Sequence, residues 1–123
     1  MPTRYVIDVE ERLVSTTFSG ILTLDDVVRH IASLRNDPKF DTGFYEIVDL
    51  SDALDVRLGY EDFKHLAELD PFSKVSKRAF VIPSSKVVLG VTRMCQVIQN
   101  DDPRIQIFRG MDEAREWLRR AQH

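Results

Sequence analysis

Near the start of the chain, apolar and polar positions alternate with a period of two. Tyr5, Ile7 and Val9 alternate with Val6 and Asp8, and Val14, Thr16 and Phe18 alternate after the polar break Glu10-Glu11-Arg12. The pattern predicts a β-hairpin whose second strand ends at Gly20. The period then changes. Thr23 is placed as a helix N-cap with Asp26 three residues on, in the capping-box position. Leu24, Val27, Val28, Ile31 and Leu34 follow at the spacing of one helical face. Asn36-Asp37-Pro38 ends that helix, because proline disfavours helical backbone in the residue before it.

Residues 44–50 (FYEIVDL) read as a third strand, followed by a polar, acidic loop and a second helix marked by Phe63, Leu66 and Ala67 and closed by Asp70-Pro71. Residues 78–82 form an apolar run bounded by Pro83, which suits a central strand buried on both faces. Ser84 or Ser85 can cap a third helix with an inward stripe of Val87, Val88, Val91, Met94, Cys95 and Ile98. After the turn Asn100-Asp101-Asp102-Pro103, residues 104–108 alternate like an edge strand, with Ile105 and Ile107 facing the core. A last helix starts at about Met111, with Asp112, Glu113 and Glu116 early and Arg119 and Arg120 late, as the helix dipole favours. Ala114, Trp117, Leu118 and Ala121 supply its packing face. The expected fold is therefore α/β: a five-stranded mixed sheet with four helices in the order β-β-α-β-α-β-α-β-α.

Length and composition fit this reading. A chain of 123 residues is the usual size for one domain, so residues 1–123 are expected to form a single unit. The 43% hydrophobic and 30% charged content places it among ordinary globular proteins, and no apolar run approaches the roughly 20 residues of a membrane span. The N-terminus lacks the apolar stretch and cleavage site of a secretory signal, and a cytoplasmic location is the expectation. Cys95 is the single cysteine, which excludes an intrachain disulfide and reads as a small core hydrophobe.

Charge changes the picture more than composition does. Eight acidic residues fall between Glu46 and Asp70 against Arg57 and Lys64, whereas 71–99 holds no acid and carries Lys74, Lys77, Arg78, Lys86 and Arg93. Such segregation describes either a solvated face or a dipolar surface that steers an acidic partner or aligns protomers. The net charge of -3 argues against nonspecific nucleic-acid binding.

The order of elements, together with Phe18-Ser19-Gly20-x-Leu22-Thr23-x-Asp25-Asp26, Val48-Asp49-Leu50-Ser51, Asp70-Pro71-Phe72 and Phe108-x-x-x-x-Glu113-Ala114-x-x-Trp117-Leu118, resembles the STAS-like group of small bacterial proteins related to the SpoIIAA-like anti-sigma-factor antagonists. The resemblance covers roughly residues 5–118. It implies a STAS-like fold and, in antagonist members, a switch in which a Ser or Thr at the start of the helix after the third strand is phosphorylated. No Ser or Thr occurs between Asp52 and Phe72, so the phosphoswitch does not carry over. The related lipid-exchange layout implies an apolar pocket.

Candidate chemistry gathers where parallel strands end and helices begin. Asp49 and Ser51 are read at one strand end, and Ser84, Ser85 and Lys86 follow another, where free N–H groups, hydroxyls and an ammonium would suit a phosphate or carboxylate. The simpler role for Ser84 or Ser85 is an N-cap. His30, His65 and His123 sit on separate elements without metal-ligand spacing, and neither a nucleophile elbow nor a phosphate-cradling glycine loop is present. No cofactor or metal is expected, and no enzyme. The first expectation is a noncatalytic regulatory or protein-interaction module that docks a protein partner or itself as a homodimer, with Phe44, Tyr45, Tyr60, Phe72, Leu89 and Arg93 as contacts. The alternative is a carrier of a small apolar or anionic ligand held between a helix and the sheet.

Overall fold

The computed structural model describes residues 3–82 and 104–122. Strands β1 (Thr3–Asp8) and β2 (Leu13–Thr23) form the expected hairpin, and helix α1 (Leu24–Arg35) follows directly. Strand β3 (Tyr45–Arg57), helix α2 (Tyr60–Leu69), strands β4 (Arg78–Val81) and β5 (Ile105–Phe108), and helix α3 (Met111–Ala121) complete the described elements. They form one mixed sheet in the order β1-β2-β3-β4-β5, in which β1 runs antiparallel and the remaining neighbours are parallel. The expected third helix, with Ser84, Ser85, Lys86, Leu89 and Arg93, lies outside the described residues; among those described there are three helices. None of the three is long and apolar enough to cross a membrane.

Local chemistry explains the helix starts. At α1, Thr23 Oγ1 accepts from Asp26 N–H at 3.4 Å while Asp26 Oδ2 accepts from Thr23 N–H at 3.0 Å, the reciprocal capping box read from the sequence. At α2, Asp62 Oδ2 reaches back to Gly59 N–H at 2.8 Å. Asp112 and Glu113 in the first turn of α3, and Arg119 and Arg120 in its last, complement the dipole.

Two boundaries differ from the sequence reading. Strand β2 does not stop at Gly20 but continues to Thr23, and the expected acidic loop 51–57 continues β3 to Arg57. The cause is a pair of register shifts. Thr17 pairs with Asp49 but Ser19 with Asp52, and Gly20 pairs with Ala53 but Ile21 with Asp55, so β3 holds two more residues than β2 over the same span. Carboxylates serve the N–H groups near these bulges: Asp49 Oδ1 accepts from Ser51 N–H at 2.9 Å, and Asp55 Oδ1 from Val56 N–H at 2.8 Å. Gly20, at φ 72°, provides the left-handed backbone that β2 needs beside them. Polar residues that read as a loop are thus the devices that let a bent strand pair.

Alternation along the strands divides the core between two faces. Ile47, Ala79 and Val81 pack with Ala114 and Leu118 under α3. Phe18, Val48, Leu50 and Ile82 face α1 and α2, and Leu24, Val27, Phe63 and Leu66 pack onto them. At the foot of α1 a third group joins Val14, Leu34, Phe44 and Phe72.

Candidate functional site

The α1 and α2 face is where titratable side chains enter the interior. Thr16, Glu46 and Arg78 lie on neighbouring strands, with Glu46 and Arg78 directly paired in the β3–β4 register. Glu46 is 5% exposed, and its carboxylate is fully engaged. Oε1 lies 2.9 Å from Arg78 Nε, an ion-pair contact whose N–H is not aligned as a hydrogen bond. Oε2 accepts from Thr16 Oγ1 at 2.8 Å and lies 3.2 Å from His30 Nε2. Because the Thr16 hydroxyl donates to the carboxylate, its oxygen can only accept from His30 Nε2, also 3.2 Å away. The network therefore assigns the imidazole proton to Nε2. Nδ1 is buried with no hydrogen-bond partner among the described residues, and the ring is held edge-on by Tyr5 and Phe18, each with its centroid 5.5 Å away.

Arg78 links this cluster to the loop after α2. Its Nη2 donates to Asp70 Oδ1 at 2.8 Å, and its guanidinium sits 4.8 Å above the Phe72 ring. Burial alone would push the Glu46 carboxyl upward, but the adjacent Arg78 charge, with His30 and Thr16, outweighs it and holds the group below the usual carboxylate range. Burial lowers Arg78, while Glu46 and Asp70 raise it further; the net direction is upward. Both groups are thus ionised in the folded protein.

Beside this cluster is a cavity of about 330 Å³ between the two helices and the sheet. Val27, Ile31 and Leu34 of α1 and Phe63 and Leu66 of α2 form one wall, and Phe18, Val48, Leu50 and Phe80 of the strands form the other. Its polar end is made by His30, Glu46, Asp70, Arg78 and Arg104, and Tyr60 and Lys64 border it along α2. Lys64 Nζ lies 5.2 Å over the Tyr60 ring. The chamber is therefore mainly apolar, with ionic groups gathered at the amino ends of β3 and β4.

That placement departs from the sequence reading, which put ligand contacts at carboxyl ends. Asp49 and Ser51 lie within β3 rather than at its end, and the Asp49 carboxylate also accepts from Ser51 Oγ at 2.6 Å. Asp49 stands two residues beyond Ile47, so strand alternation turns it to the α3 face, away from the cavity. Ser84, Ser85 and Lys86 lie outside the described residues, as do Leu89 and Arg93.

The remaining partner-contact candidates separate. Phe44 (6% exposed) and Phe72 (9%) are corrected to core positions, because α1 covers Phe44 while Phe40 and Arg78 cover the Phe72 ring. Tyr45 is half-buried on the α3 face, with its hydroxyl donating to the Ala121 carbonyl at 3.4 Å. Tyr60 is exposed and borders the cavity.

The site residues missed from sequence are Thr16, His30, Glu46, Asp70 and Arg78. One signal was present: Phe44, Glu46, Val48 and Leu50 share a face by strand alternation, so Glu46 had to be an acid in a core row. No protein-family model matches the chain, and no curated protein matches it.

Proposed function

We propose that this protein is a noncatalytic carrier of a small, largely apolar molecule bearing one polar or anionic group. The observation that carries this reading is the 330 Å³ chamber between α1, α2 and the sheet, of a size used for small-molecule sites, roughly 300–1,000 Å³. Aromatic and aliphatic walls favour a compact apolar body. The charged end beside Arg78 and Arg104, with Lys64 bordering the chamber along α2, favours a polar head. Thr16, His30 and Glu46 engage one another inside the fold, which suits a fixed polar wall better than a reacting centre.

Within the STAS-like resemblance read from the sequence, a carrier role needs no phosphorylated hydroxyl. The interaction-module reading draws its own support from the outer edge of β1, which no described strand pairs with and where Val6 is 69% exposed.

The test is native mass spectrometry of protein purified from its host, joined to titration with the apolar anion anilinonaphthalene sulfonate. A stoichiometric extra mass that the probe displaces, and loss of probe binding in Leu66→Trp, which fills the chamber, are the expected results. Bare protein whose probe binding Leu66→Trp leaves unchanged would overturn the reading.

A further inference from the structure

β1 carries a pattern of exposed side chains beside an outer edge that no described strand pairs with. Among the described residues β1 is an edge strand, with β2 as its one sheet neighbour. Natural edges are usually blunted by charged side chains, proline or a bulge; Thr3–Asp8 has no proline, pairs with β2 without a register shift, and carries two charges of opposite sign, which repel a like-charged strand but not a complementary one. Its exposed positions alternate as Arg4, Val6 and Asp8, a cation, an apolar residue and an anion.

Arg4 makes no ion pair with any described residue. Asp8 uses Oδ1 to accept from Glu11 N–H at 3.0 Å, which leaves its charge available outward. The row is self-complementary. In an antiparallel pairing centred on Val6, residue numbers on opposing strands sum to 12, the arithmetic being 6 plus 6, 4 plus 8 and 8 plus 4. Val6 then meets Val6 across a two-fold axis, and Arg4 meets Asp8 of the second copy twice. A parallel pairing in register would instead set Arg4 against Arg4 and Asp8 against Asp8.

We infer that β1 is an isologous docking edge, at which a second copy of this chain adds its own β1 antiparallel about Val6 and joins two five-stranded sheets into one of ten strands. The backbone ladder supplies attraction, and the charges select the second copy and its register. The contact is one strand long, so the dimer is weak and reversible.

Sedimentation equilibrium over a wide range of concentration tests this, with circular dichroism to confirm that each variant is folded. Wild-type protein is expected to dimerise reversibly. Arg4→Asp and Asp8→Arg each set like charges against one another at two symmetric places, and each should raise the dimer dissociation constant by about tenfold or more. The double variant Arg4→Asp/Asp8→Arg exchanges the charges and should regain the dimer. Val6→Lys, exposed in the single chain and lying on the axis, should abolish it by an independent route. Wild-type protein that stays monomeric at every concentration, a dimer indifferent to the single reversals, or a double variant that does not recover would each overturn the proposal.

Discussion

The two faces of this sheet are built from alternate residues of the same strands, yet they solve different problems. Under α3, Ile47, Ala79, Val81, Ala114 and Leu118 are all essentially inaccessible, and small residues on both sides let helix and strands approach closely. Under α1 and α2, large side chains such as Phe18, Phe63 and Phe80 stand around a chamber, and an acid, a histidine and an arginine share the interior with them. One face is packed for cohesion. The other gives up density for space and charge, so the same kind of substitution should act unequally on them.

The largest effect is expected at the ionic cluster. Glu46→Gln leaves Arg78 paired with Asp70 alone and removes the charged acceptor of Thr16 and His30. Breaking a buried pair from one side costs about 3–5 kcal/mol, and a shift of that size in the chemical-denaturation midpoint would confirm that the cluster holds this face together. A loss below about 1 kcal/mol would mean that it is a surface-like pair.

Next comes overpacking of the dry face. Ala79→Leu has no room beneath α3 and should cost roughly 1–3 kcal/mol, measured the same way. The matching change on the other face, Leu66→Trp, extends into the chamber and should cost less than about 1 kcal/mol while abolishing probe binding. Equal costs at the two positions would erase the distinction drawn between the faces.

The smallest effect concerns acid. The folded-state pKa of Glu46 lies below its unfolded value, so the stability it contributes is fully present above the unfolded value near 4.5 and is lost as pH falls through the folded one. Urea midpoints measured downward from pH 5 should decline, and the decline should be shallower in Glu46→Gln. A variant as acid-sensitive as the parent would assign the slope to other carboxylates.

Much of the architecture was legible because it rests on local rules. The period-two hairpin, the Thr23 and Asp26 capping box, the stop at Pro38 and the dipole-matched last helix all depend on residues a few positions apart. The extent of β3 was not legible. Its acids at 49, 52 and 55 look like a loop, and only pairing with a bulged β2 shows Asp49 and Asp55 supporting a bent strand. Phe44 and Phe72 illustrate the same limit, since large aromatics fit a partner surface or a core equally well until the neighbouring elements are in place.

Sequence by itself determined the α/β class, the order of the described elements and the inward stripe of the helices, because helix and strand periods are properties of neighbouring residues. It also determined the split of acids into 46–70 and bases into 71–99. Only the tertiary structure decided what that split is for at its centre: parallel pairing of β3 with β4 sets Glu46 beside Arg78, and the loop after α2 brings Asp70 to the same guanidinium. Long-range pairing chooses which charges meet, and burial makes that meeting matter, since removing one partner of a buried pair leaves the other charge uncompensated away from water, a cost that water screens at the surface.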